Sequence, residues 1–429
     1  MPGVLMATKA PPACPQKFGT VFPRKAADIF TPIQETSEDC LYLNIWAPKS
    51  VVDNLYSSNA MGGVLKPGSS VFSSSLSPLA VMTWIHGGSF ESGSSVLPMH
   101  NGSVLAAYNN VLVVTIQYRL GALGFLQLEN DRIPGNLGLL DQIEALKWIQ
   151  SNIGAFGGNK ERVTLFGSDA GAASVTYHML SPLSKGLFQK AILQSGSSNS
   201  PLWFLPKEDA VQRGQSFVDM VSAENCPRAR TNDEKFECLQ DLDPLTIVKY
   251  QNNVLQPDDE GNYGYFQFTF VPIEDGEVVT EPPRNTVEMG RMNTDIPVLL
   301  GTVKNEGSLG MILSNQAIEK FPTPIDPNKQ TDGLDTNQYS KFISHYFAFY
   351  PRNGNKYRTA DMLRRFIEMH YSCNSESLSG DDILQKLTEA TGDAFIGCPV
   401  WGWAEAQSEI QENIYMYQFT HRPSSVFFS

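Results

Sequence analysis

Val163-Thr164-Leu165-Phe166-Gly167-Ser168-Asp169-Ala170-Gly171 decides the fold of this chain. The first four residues, apolar or β-branched, predict a buried strand. Gly167 and Gly171 allow a sharp turn and a close approach of that strand to the helix expected to run on to about Leu180. A strand, a Gly-x-x-x-Gly turn and a helix throw the middle residue into a site at the helix N-terminus, where the dipole favours a developing anion. Such turns carry a serine nucleophile in many hydrolytic enzymes. Here the middle residue is Asp169.

Outward from this turn, short apolar runs alternate with amphipathic stretches. Val81–Ile85, ending in His86-Gly87-Gly88, and the continuous β-branched run Val111–Ile116 read as strands, the second covered on both faces. Leu139, Ile143, Leu146 and Ile149 recur at helical spacing within Gly138 to Ile153. Ala191–Leu193, Val298–Leu300 and Ile414–Phe419 continue the strand series. Alternation of this kind predicts an α/β fold with a central, mostly parallel sheet flanked by helices. Ser50 to Pro78, rich in Ser, Gly and Val, reads as a surface insert, and Pro322 to Asn337 as a loop. Apolar runs continue past both, so residues 1–429 are expected to form a single domain.

The chain is 41% hydrophobic and 18% charged over 429 residues, enough to bury a large core. A net charge of −13 argues against nucleic acid and against an anionic membrane surface. No run approaches the roughly 18 apolar residues of a membrane span. The first residues, Met1 to Cys14, lack the basic-then-apolar pattern of a signal peptide. Six cysteines include no CxxC, which speaks against zinc, and composition leaves disulfides and reduced thiols both open. Asn101-Gly102-Ser103 is a glycosylation sequon. No metal or cofactor is implied. The acidic runs Asp258-Asp259-Glu260 and Asp381-Asp382 lack ligand spacing and read as solvated surface.

An ordered series of motifs then identifies a family. Ser37-Glu38-Asp39-Cys40-Leu41-Tyr42-Leu43-Asn44-Ile45-Trp46 resembles a signature of the type B carboxylesterases and cholinesterases, and His86-Gly87-Gly88 their oxyanion loop. Tyr118-Arg119-Leu120-Gly121, Gly135-Asn136-Leu137-Gly138, Phe156-Gly157-Gly158-Asn159, Gln194-Ser195-Gly196-Ser197, Phe270-Val271-Pro272 and Lys304-Asn305-Glu306-Gly307 follow in family order. The resemblance spans nearly the whole chain and implies an α/β-hydrolase fold, with the family's N- and C-terminal parts truncated.

It also implies roles. The nucleophile position falls on Asp169, the triad acid on Glu306, and the oxyanion donors on the amides of Gly88, Ser89 and Ala170. Cys14–Cys40 and Cys226–Cys238 match family disulfides, each worth about 3 kcal/mol. Cys398 matches half of a third bridge, and Arg119 with Asp141 a buried ion pair. The triad histidine should follow the acid, which leaves His345, His370 and His421. The context of His421 resembles the strand before the family's histidine loop, and the chain stops eight residues later, so the catalytic histidine is expected to be absent from this chain.

Two functions follow as expectations. In the first, the domain resembles the serine-lacking members such as neuroligins. It would then be a catalytically inactive, glycosylated and disulfide-bonded binding or adhesion module of the extracellular space or cell surface, with a protein partner and a homodimer allowed. In the second it is a carboxylic ester hydrolase, conventional or with Asp169 as nucleophile, acting on a small ester. Choline recognition is disfavoured, because Pro15 to Asp39 holds no Trp for a cation–π contact. Trp84, Trp148 and Trp203 are expected to be core packing.

Overall fold

The structure is a computed structural model, and it describes residues 9–17, 34–53, 77–129, 132–254, 268–293, 295–308 and 379–421, with a few isolated positions besides. Seven strands form one sheet: β1 (Leu43–Trp46), β2 (Leu79–Ile85), β3 (Leu112–Ile116), β4 (Gly158–Ser168), β5 (Lys190–Gln194), β6 (Val298–Val303) and β7 (Ile414–Phe419). Their spatial order is β1-β3-β2-β4-β5-β6-β7, so β4 lies at the centre. Only β1 runs antiparallel, against β3; all other neighbours are parallel. This is the mixed, helix-flanked sheet of an α/β-hydrolase fold.

The pattern of burial follows from composition. All five residues of β3 are buried, as a β-branched run covered on both faces requires. Helix α1 (Leu137–Asn152) turns Leu139, Ile143, Leu146 and Ile149 onto the sheet. Its start and end each lie within one residue of the predicted Gly138–Ile153. Strand β4 is longer than its apolar centre, because a turn at Gly157 (φ 90°) lets pairing begin at Gly158. Trp203 is fully buried, as expected, but Trp148 corrects the expectation. It is 37% exposed, with its ring 5.9 Å from that of Phe156.

Parallel register brings several strand ends to one edge. Ile85 pairs with Gly167, Ser168 with Gln194, and Gln194 with Gly301. Ligand sites of such sheets lie outside this carboxyl edge. Helix α2 (Ala170–Leu180) starts there directly after β4. A Cβ on Gly171 would run into the backbone of Ile85 and His86, so the close strand–helix approach requires glycine.

Two disulfides close loops, Cys14–Cys40 (Cα–Cα 5.0 Å) and Cys226–Cys238 (6.1 Å), while Cys398 is an exposed free thiol. Cys373, most of the Ser50–Pro78 insert and the Pro322–Asn337 loop lie outside the described residues. Among the described residues no helix is long and apolar enough to cross a membrane.

Candidate active site

Asp169 caps the turn between β4 and α2 with φ 56° and ψ −126°. A left-handed φ is costly for a residue with a side chain, of order 1–3 kcal/mol. The turn is held in that shape from both ends. The Asp169 amide donates to the Gln194 carbonyl at 3.0 Å, and its carbonyl accepts from the Ala173 amide at 3.0 Å.

The loop after β2 meets this turn. Gly88, Ser89 and Phe90 take φ values of 114°, 55° and 63°, and this run of left-handed residues aims successive amides inward. Phe90 anchors the loop by burying its ring against Tyr118 and Phe125. Gln16, two residues from Cys14, brackets Gly93: its Nε2 donates to the Gly93 carbonyl at 2.8 Å and its Oε1 accepts from the Gly93 amide at 2.9 Å.

The amides so presented do not face empty space. Asp169 Oδ2 accepts from the Gly88 amide at 2.8 Å and from the Ser89 amide at 2.9 Å, and the Ala170 amide also bonds this carboxylate. Gly87 makes room for it, since a Cβ there would sit 3.0 Å from Oδ2. Burial raises the Asp169 pKa, and the amides of Ala170, Gly88 and Ser89 pull it back only in part.

Glu306 follows β6 and keeps its carboxyl near the turn. Its Oε1 accepts from the Val303 amide at 2.8 Å, and the Ser195 hydroxyl bonds it as well. Burial again raises its pKa, and the charge of Asp169 pushes the same way. A cavity of about 650 Å³ borders Glu306 and is lined also by Lys304, Asp393, Cys398, Trp401 and Tyr417.

No histidine among the described residues hydrogen-bonds either acid. His370 stacks on Phe366, and His421 is exposed beyond β7. His345 lies outside the described residues. His86 is buried behind the loop, stacked 4.4 Å from Tyr118, and burial lowers its pKa to about 3. His178 is fixed by Gln142 and Ser184 in the core. Arg119 and Asp141 form the expected pair, with Nη2 to Oδ1 at 2.7 Å and Nε to Oδ2 at 2.8 Å; Asp141 is buried and Arg119 half-buried.

The sequence reading missed Glu91. This half-buried acid in the same loop accepts from the Thr269 amide at 3.0 Å. Burial drives its pKa up to about 7, against the pull of that amide and of Lys17. An acid directly after the glycines and Phe90 was the available signal. The bond from Ser195 to Glu306 was also missed, although Gln194-Ser195-Gly196 was noted as a motif.

A carboxylesterase family model matches residues 1–428. The chain belongs to the carboxylesterase family. A mouse cholinesterase is 32% identical over 429 residues, which is 99% of this chain and 62% of that protein. The chain thus spans less than two thirds of that protein's length.

Proposed function

We propose that this carboxylesterase-family domain is a catalytically silent binding module of the extracellular space or cell surface. One observation carries the reading: the Asp169 carboxylate sits on the amides of Gly88, Ser89 and Ala170. Those amides are the donors a substrate carbonyl oxygen would need as it becomes an oxyanion. With the donors taken, an ester has no pocket for its developing charge. An Asp169 nucleophile would moreover have to leave three hydrogen bonds before attacking carbon. Two disulfides and the exposed Asn101 sequon support an oxidising, secretory setting. Neuroligin-like adhesion to a protein partner is the form of binding the serine loss favours.

The second reading, a hydrolase using Asp169, draws on the retained elbow backbone and on Glu306 nearby. Hydrolysis of p-nitrophenyl acetate separates the two. The silent reading expects no turnover above that of Asp169→Asn. Turnover that the wild-type chain shows and Asp169→Asn abolishes would sink it.

A further inference from the structure

We propose that the outer edge of β7 is a docking surface for a second copy of this chain, the two β7 strands pairing antiparallel about Met416 to join two sheets into one. The surface involves neither Asp169 nor the amides around it. Among the described residues β7 pairs with β6 alone and ends the sheet. The carbonyls of Asn413 and Phe419 accept from the amides of Val298 and Lys304, each at 2.9 Å. Alternate residues of a strand bond to the same neighbour, so Asn413, Tyr415, Tyr417 and Phe419 turn their backbone to β6. Ile414, Met416 and Gln418 then turn theirs outward, with amides and carbonyls free to pair again.

Edge strands are commonly guarded by charge, proline, a bulge or shortness. At the far end of the sheet, β1 is four residues long and is followed closely by Pro48. Strand β7 has six residues, Ile-Tyr-Met-Tyr-Gln-Phe, with neither charge nor proline, and its register on β6 runs without a shift. Its apolar side chains are bare: Tyr415 is 58% and Phe419 53% exposed, beside exposed Leu299 and Val303 of β6. Pairing about Met416 sets Met416 against Met416 and Ile414 against Gln418, so every outward residue finds a partner. Tyr415 then meets Tyr417 of the other copy, and aromatic pairs across strands are stabilising.

Charge at the two ends of the strand selects a second copy in antiparallel order. Glu409 and Glu412 precede β7, while His421 follows it and Lys304 lies at that same end through its bond to Phe419; all four are exposed. Antiparallel pairing places Glu412 beside Thr420 and His421 of the other copy, twice over, whereas parallel pairing would set Glu412 against Glu412. The two-fold contact uses both edges at once and so closes at two copies. Six residues a side place it below about 1,200 Å² of buried surface, the range of weak complexes, and a Kd of about 1–100 µM is expected.

Sedimentation velocity of the whole chain from about 1 to 200 µM is the test, and a concentration-dependent dimer is expected in that range. Met416→Pro removes an amide that faces outward, which spares the β6 ladder and blocks the edge. It should weaken dimerisation at least about tenfold, with far-ultraviolet circular dichroism unchanged. Should that variant fail to fold, Met416→Lys sets two like charges face to face on the axis and should weaken the dimer as far. The register has its own readout in a Cys398→Ser background. Opposed residues of this kind lie about 5.5 Å apart at Cα, within disulfide reach, so Met416→Cys should crosslink two chains on mild oxidation. Gln418→Cys, which faces Ile414, should not. A wild-type chain that stays monomeric, open-ended aggregates in place of a dimer, a dimer that a folded Met416 variant keeps undiminished, or crosslinking at 418 rather than 416 overturns the proposal. Ester turnover by the same samples bears on the silent reading of Asp169 and leaves this one untouched.

Discussion

Glu91→Gln is the sharpest perturbation the structure offers, because it changes one proton and little else. The ordinary carboxyl pKa of 4.5 rises to about 7 at Glu91, chiefly through burial. A group whose pKa is higher in the folded than in the unfolded chain favours folding while protonated. Its stabilising contribution is complete below 4.5 and is lost as pH climbs through about 7. Each tenfold change in proton affinity is worth about 1.4 kcal/mol, so the move from 4.5 to about 7 has a ceiling of about 3 kcal/mol. Water reaching the half-buried carboxyl brings this to about 1–2 kcal/mol. Glutamine keeps an oxygen for the Thr269 amide but cannot ionise. The variant should therefore match wild type at pH 5 and exceed it at pH 8, by a few degrees in melting temperature at about 2–4 °C per kcal/mol. Thermal melts of both chains at half-unit steps from pH 4.5 to 8.5 provide the assay. His86 and His178 are common to both and cancel in the difference. If the two curves stay parallel across that range, Glu91 ionises as it does in water and the account of this loop fails.

Asp169→Asn should follow the same sign, gaining on wild type at pH 8 and losing that gain on acidification, as differential scanning fluorimetry would show. Phe90→Ala removes the ring that anchors the inward-facing loop and is expected to cost about 3–5 kcal/mol by urea titration. Gly171→Ala drives a methyl into the Ile85 carbonyl and should abolish soluble expression, whereas Gly186→Ala, with nothing within 4 Å but a left-handed φ, should yield a folded and mildly destabilised chain. Alkylation with mass mapping should label Cys398 without reductant and Cys14, Cys40, Cys226 and Cys238 only after it. Labelling of all five without reductant would remove the support for an oxidising compartment.

The sheet was legible because its strands announce themselves locally. Leu112–Ile116 can be buried on both faces only as a strand, and the spacing of Leu139, Ile143 and Leu146 fits one side of a helix. The turn at Asp169 was legible for a similar reason, since only glycine at 167 and 171 tolerates the contacts found there. The direction of the Asp169 carboxylate was not. It depends on the Gly88 and Ser89 amides, some 80 residues earlier, and on left-handed φ at Ser89 and Phe90, which their side chains do not advertise. Glu91 escaped likewise, because its burial is completed by Thr269, 178 residues away. Trp148 was misread because an aromatic on a helix says nothing by itself about which face it occupies.

The bracket that Gln16 places on Gly93 has a mechanical consequence. It joins the buried Cys14–Cys40 crosslink to the loop that grips Asp169, so a covalent link is tied to that loop by one amide side chain. Cutting the sulfur bond would slacken that tether, and the loop would feel the redox state of its surroundings without containing a cysteine.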